Sequence, residues 1–317
     1  MNWAILGPGT IAKEFAKAIE EVNGSIYAVG SRNLERAKKF ADNYNVEKVY
    51  GSYEEMLKDD AIDVVYISTP HSSHYEYIMK SLENNKNVFC EKAITVNGRE
   101  LEEAVNLAKK KNLVIREAMT IYHMPLYKKL RKLIDGGKIG KIKMIQVSFG
   151  SLKEYDVKNR FFSKELAGGA LLDIGTYALS YTRYFLSSQP DEVLTTVKRF
   201  ETGVDEESGI VLKNPDDEMA VISLTMRAKQ PKRGIVAGEL GYITVDNFPR
   251  ADKASITYPD GTSEIIEAGE TSKALNYEVE DMNNCISSKV EDTTLSLSID
   301  VMGLMDDIRK KWHSYEL

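Results

Sequence analysis

Through residue 118 the chain alternates short apolar runs with segments whose apolar positions recur at helical spacing. The runs are WAIL (3–6), SIYAVGS (25–31), VVYIS (64–68), NVFC (87–90) and LVIREA (113–118). Between them, IAKEFAKAIEEV (11–22), LERAKKFADNY (34–44), HYEYIMKSLENN (74–85) and GRELEEAVNLAKKK (98–111) carry the helical pattern. The strand-like runs are nearly continuous in apolar residues, as expected of strands in a parallel sheet covered by helices on both faces. This alternation predicts a doubly wound α/β domain over residues 1–120.

The pattern changes after Met119. PLYKKLRKLIDGG (125–137) reads as a helix ended by Gly136 and Gly137. From IKMIQVSFG (142–150) onward, β-like runs follow one another with few helices between them: 192–200, 209–213, 218–227, 233–239, 242–246, 254–258 and 264–268. Turn signals in GELGY (238–242) and YPDGT (258–262) suit hairpins. An antiparallel or mixed sheet is predicted, in a second, α+β domain over 121–317. A last helix, 296–312, is expected to close the chain and to pack back on the first domain. One apolar stretch in this half, GGALLDIGTYALSY (168–181), carries Asp173 and Tyr177 four residues apart. A helix there would put acid and phenol on one face.

Composition narrows the class. With 317 residues and 43% hydrophobic content, the chain can bury cores for two domains. No apolar run approaches the roughly 20 residues of a membrane span, and mean hydropathy is -0.33. A net charge of -6 argues against nucleic acid as the main partner. The N-terminus enters a strand directly, with no basic region or cleavage segment, so no signal peptide is expected. Cys90 and Cys285 lie far apart without metal-type spacing, which suits free thiols in a reducing cytoplasm.

Candidate chemistry begins at GPGTIA (7–12), which follows the first strand and opens the first helix. Gly7 suits the tight turn, and Gly9 lets the backbone approach a pyrophosphate at the helix N-terminus. Ala12 stands where strand and helix pack closely. The backbone of Gly7, Pro8, Gly9, Thr10 and Ile11 is thus expected to cradle a dinucleotide. NAD sites usually end the next strand with an acid that accepts from the ribose hydroxyls. Here the strand ends in Gly30-Ser31-Arg32-Asn33, with Arg36 one helical turn on. A hydroxyl and guanidinium groups suit a 2′-phosphate, so NADP is expected over NAD.

NVFCEKAIT (87–95) places Glu91 and Lys92 just past an apolar strand, where parallel sheets present ligand-binding groups. In STPHSSH (68–74), Ser68, Thr69, Pro70 and His74 are expected beside the cofactor. His71 and His74 have no acidic or cysteine companion at metal spacing, so no metal is expected.

Taken in order, GPGTIA, AVGSRNLERAKKFA, STPHSSHYE, VFCEKA, IREAM…MP and GGALLDIGTY resemble the glucose–fructose oxidoreductase / inositol dehydrogenase / rhizopine-catabolism (Gfo/Idh/MocA) family. GELGYITVD and the closing helix extend the resemblance over essentially the whole chain. It implies an N-terminal Rossmann domain and a C-terminal domain with a large open, mostly antiparallel sheet that commonly forms dimer interfaces. A homodimer or homotetramer through that sheet is therefore expected, acting on a small-molecule substrate.

The resemblance also implies roles. Lys92 matches the lysine beside the nicotinamide, and Tyr177 the acid–base group, with Asp173 as the accompanying carboxylate. Tyrosine at 177 places the chain with the dihydrodiol, xylose and glucose–fructose members rather than the His-containing inositol branch. The implied activity is hydride transfer between nicotinamide and a carbinol or carbonyl carbon of a sugar, polyol or trans-dihydrodiol. The alternatives are a reductase of a ketone, imine or tetrapyrrole-like compound, and a non-catalytic NADP-binding sensor or partner protein. Three departures stand out. Ala93 replaces the motif's proline, which is expected to leave the backbone after Lys92 less constrained. Thr120 and Tyr122 replace Trp and Arg of many relatives, and are expected to face substrate. Arg160, in NRFF, matches an arginine often near cofactor or substrate, and Gly168 and Gly169 are expected to let their helix start close against cofactor or substrate.

Overall fold

The structure, a computed structural model, describes residues 1–288 and 294–314. It comprises two compact units, Met1–Ala118 with Lys273–Leu295 and Met119–Ser272 with Ser296–Leu317.

The first unit is built on β1 (Asn2–Leu6), α1 (Thr10–Glu21), β2 (Ser25–Gly30), α2 (Leu34–Tyr44), β3 (Lys48–Tyr50), α3 (Tyr53–Leu57), β4 (Val64–Ile67), α4 (His74–Glu83), β5 (Asn87–Glu91), α5 (Gly98–Lys111) and β6 (Ile115–Ala118). Its strands form one six-stranded sheet in the order β3-β2-β1-β4-β5-β6. Every pairing is parallel. Strand order reverses between β1 and β4, so the connections leave these two strands in opposite directions and open a crevice at their carboxyl ends. Under that crevice Phe15 stacks on Tyr66 at 3.7 Å, with Trp3 and Phe89 against Phe15 at 5.3 and 5.7 Å. Asn33 and Asn97 cap α2 and α5 by accepting from the backbone N–H three residues on, which sets where each helix begins.

The second unit contains α6 (Thr120–His123), α7 (Pro125–Asp135), β7 (Ile142–Gly150), α8 (Thr176–Phe185), β8 (Glu192–Arg199), β9 (Asp205–Lys213), β10 (Met219–Thr225), β11 (Gln230–Gly238), β12 (Gly241–Asp246), β13 (Lys253–Thr257) and β14 (Ser263–Glu267). Eight strands form a sheet in the order β14-β13-β12-β11-β7-β10-β9-β8. Only the β7–β10 pairing is parallel among them. α8 packs on β7, β10 and β11, covering one face. Cross-strand register aligns a row on the other face, running from Leu194 through Val211, Val221 and Ile235 to Ile265. Leu194, Val221 and Ile265 on that row are exposed.

The chain after β14 differs from expectation. α9 (Ala274–Ser288), not anticipated from the sequence, is part of the first unit. Its Leu275, Val279 and Met282 join the core of Trp3 and Phe15. The final helix, α10 (Thr294–Ser314), expected to pack on the first domain, instead groups with the second unit. There Trp312 Nε1 donates to Thr195 Oγ1 at 2.9 Å, and Arg183 Nε donates to Asp300 at 2.8 Å. Among the described residues, no helix is long and apolar enough to cross a membrane.

Candidate active site

In the first unit the turn after β1 is drawn tight. Gly7 N donates to Gly30 O at 3.1 Å, and Gly7 has φ +96°, a conformation that favours glycine. A Cβ there would meet Thr69 Cγ2 at 3.2 Å, so β4's end closes on the turn. Gly9 is the extended N-cap of α1 and offers no side chain to the helix's first N–H groups. Those donors and the positive end of a 12-residue helix suit an anionic group such as a pyrophosphate. Beside them the Thr69 hydroxyl is buried with no hydrogen-bond partner. A buried hydroxyl with a free hydrogen-bonding capacity at the crevice suits a dinucleotide, so these residues fit the cofactor expected of them.

At the end of β2, Ser31 is buried, and its hydroxyl accepts from Asn33 N at 3.1 Å. Arg32 and Arg36 are exposed. Arg32 hydrogen-bonds the Tyr53 hydroxyl. Burial raises the pKa of Tyr53, and the two guanidinium groups pull it down. Two guanidinium groups at this corner suit a phosphate monoester.

Lys92 and Ala93 form the turn after β5, joined by a cis peptide bond. Side chains grip this turn. His71 Nε2 donates to Lys92 O at 3.0 Å, and Glu117 accepts from Ile94 N at 3.0 Å. The His74 ring sits between Ala93 O (2.9 Å) and Thr69 O (2.8 Å). Burial lowers the pKa of His74, with Lys92 adding to the effect, against the pull of the carbonyls. His74 is wholly buried and braces the lysine turn. Glu91 accepts from the Tyr66 hydroxyl and is tied into the core.

In the second unit, Leu171–Gly175 is a π-helical turn that runs into α8. The wider turn changes the simple i,i+4 picture: Asp173 is buried inside it, and Tyr177 is half-buried at the start of α8. Gly168 and Gly169 pack closely against their own chain. A Cβ on Gly168 would lie 2.6 Å from the carbonyls of Arg160 and Phe161; one on Gly169 would lie 2.2 Å from Asp205 Oδ1. Asp205 accepts from Leu171 N at 2.6 Å and so anchors the start of the turn. Burial pushes its carboxyl up to about 6, partly opposed by the Leu171 N–H and by Arg309 and Arg199. Arg160 lies over the Phe161 ring at 4.3 Å, with Nη2 3.7 Å from Asp173 Oδ1.

Tyr177 lies against Phe149, with 6.1 Å between ring centroids, and both line a cavity of about 770 Å³ in this unit. Lys232 is in the same wall, its ammonium 4.9 Å over the Phe149 ring. Thr120 and Tyr122, expected to face substrate, are buried instead. Tyr122 donates to Ser180 Oγ at 3.0 Å, which ties α6 to α8.

Comparison with known proteins decides the family. Residues 1–119 match the oxidoreductase family with an NAD-binding Rossmann fold, and residues 127–244 match the GFO/IDH/MocA C-terminal domain. A trans-1,2-dihydrobenzene-1,2-diol dehydrogenase of Xenopus tropicalis is 32% identical over 96% of each chain. The chain belongs to the Gfo/Idh/MocA oxidoreductase family. A second relative, the scyllo-inositol 2-dehydrogenase (NADP(+)) IolU of Bacillus subtilis, is 30% identical over 98% of this chain and 97% of its own. The fold matches that of KijD10, a 3-ketoreductase from Actinomadura kijaniata crystallised with NADP and TDP-benzene. The TM-score is 0.88 at 22% identity, covering 98% of this chain and 97% of that one.

As a Gfo/Idh/MocA member, the chain carries its candidate residues on both units: the glycine turn, Arg32, Arg36 and Lys92 on the first, Asp173, Tyr177 and Arg160 on the second. Sequence reasoning missed Asp205 and Lys232. An acid at a strand start and a lysine in a strand have no motif around them, and only the fold places them by the π turn and by Phe149.

Proposed function

We propose that the protein is an NADP-dependent dehydrogenase acting on a carbinol carbon of a sugar, polyol or trans-dihydrodiol. The observation that carries this reading is the Lys92 turn, held by His71, His74 and Glu117 on the same unit as the glycine turn and the unpartnered Thr69 hydroxyl. Such bracing fixes the base of one ammonium where a parallel sheet presents its ligand-binding groups. The names of the two curated relatives and the NADP bound in KijD10 support the same chemistry. Arg32 and Arg36 support NADP over NAD, as phosphate-pairing cations.

Bound NADP would accept or return the hydride. The chain's own part is proton handling and orientation. Tyr177 takes the proton from the carbinol oxygen. A phenol near its ordinary pKa of about 10 is a weak base at neutral pH, and a neighbouring ammonium favours the phenolate, which is the role the family resemblance implies for Lys92. Asp173 holds the substrate hydroxyl, with Arg160 beside it. The exposed row of Leu194, Val221 and Ile265 supports a homodimer or homotetramer through the open face of the sheet. Cys90 and Cys285, buried and not joined in a disulfide, support a cytoplasmic location.

A panel of aldoses, polyols and trans-dihydrodiols with NADP, followed by NADPH fluorescence, tests this reading. Reduction of NADP with members of the panel is expected. Tight NADPH binding without turnover of any member would instead support a non-catalytic binding protein.

A further inference from the structure

The cavity beside Tyr177 has an uneven charge balance. Its wall includes Tyr177, Lys232, Asp246, Arg250, Asp252 and Lys253. Both carboxylates are already engaged: Asp246 accepts from Arg233 at 2.6 and 3.0 Å, and Asp252 accepts from Thr271 N at 2.9 Å. Lys253 pairs with Glu267 at 3.1 Å. Lys232 forms no ion pair among the described residues, and it shares Phe149 with Tyr177 as a neighbour. Lys153, whose ammonium lies over the Phe161 ring at 4.2 Å, and Arg250 both act on Lys232 as like charges.

We propose that Lys232, flanked by Lys153 and Arg250, is an oxyanion-recognising subsite, and that the substrate carries a carboxylate or phosphate ester near the carbinol it presents to Tyr177. The proposal rests on Tyr177 being the proton-transfer group. Lys232 and Arg250 line one wall, and Lys153 acts on Lys232 from outside that lining, so positive charge gathers there with Asp173 as the opposing carboxylate. Partial desolvation, then Lys153 and Arg250, lowers the pKa of Lys232, while Asp173 opposes them. An anion there relieves the repulsion and gains a charge-assisted hydrogen bond, which a neutral hydroxyl group does not match.

The test compares kcat/KM for matched pairs with NADP: an aldose against its uronate, and the same aldose against its 6-phosphate. The two arms separate carboxylate from phosphate. The expected result is a preference of at least about tenfold for one anionic member, shrinking as KCl is added. Lys232→Gln should cut that preference at least about tenfold. Lys229→Gln, an exposed lysine outside the cavity wall, controls for net charge and should leave it in place. Independently of turnover, inorganic phosphate and malonate titrated by calorimetry should bind wild type more tightly than Lys232→Gln by at least about fivefold. Equal preference for neutral and anionic members, or equal anion affinity in wild type and variant, would overturn the subsite. Turnover of neutral aldoses alone would overturn the subsite and keep the dehydrogenase reading. Anion binding that depends on Lys232, with no turnover at all, would do the reverse.

Discussion

Replacing Asp205 by Asn removes a buried negative charge and keeps an oxygen able to accept from Leu171 N. The wild-type carboxyl is pushed up to about 6 by burial, roughly two units above its unfolded value of about 3.9. Between these values the folded state holds a proton that the unfolded chain has lost. Stability from this group therefore falls as pH rises from about 4 to about 6, and the deficit is complete above that. Two units correspond to about 3 kcal/mol, of which about 2 kcal/mol develops between pH 4.5 and pH 8. Any packing change in Asp205→Asn is common to both conditions. The expected outcome is therefore a change in relative stability: the variant gains about 2 kcal/mol on wild type from pH 4.5 to pH 8. Urea unfolding of both proteins at the two pH values, with the transition of the second unit followed separately, measures it. A stability difference that is the same at both pH values would refute the reasoning that Asp205 carries a buried charge at neutral pH.

Gly169→Ala sets a Cβ 2.2 Å from Asp205 Oδ1 at φ +109°. It should cost on the order of 2 kcal/mol in urea unfolding, and an unchanged midpoint would contradict the close approach. Arg32→Ala combined with Arg36→Ala should raise KM for NADP at least about tenfold while changing KM for NAD little. A uniform change for both cofactors would remove the 2′-phosphate assignment. Val221→Glu, placed in the exposed row across the sheet, should shift the protein to monomer in light scattering; an unchanged mass would place self-association elsewhere.

The first unit was legible because its strands are buried on both faces and its helices carry clean apolar stripes: α2 and α5 begin and end where the pattern does. α9 was not, since Asn276 and Glu278 are buried within it and break the stripe. Asn276 instead donates to Glu21 at 2.9 Å, a contact between residues far apart in sequence. β9 was expected to start at residue 209 and starts at Asp205, because its first acids are buried and read as loop. Spacing alone treated 168–181 as an ordinary helix, whereas the π turn is fixed by tertiary contacts: Asp205 on Leu171, and the carbonyls of Arg160 and Phe161 on Gly168. The same holds for Lys92. The strand end was visible in the sequence, but the grip of His71, His74 and Glu117 on that turn required the fold.

The central claim of the proposed function is that Lys92 and Tyr177 each serve the turnover of a carbinol substrate with NADP. Turnover of a panel substrate by Lys92→Met and by Tyr177→Phe, alongside NADPH affinity by fluorescence, tests it most directly. The account predicts a loss in kcat of at least about 10²-fold in each variant, the scale of general acid–base catalysis, with NADPH still bound by Tyr177→Phe. Wild-type kcat in both variants would contradict it.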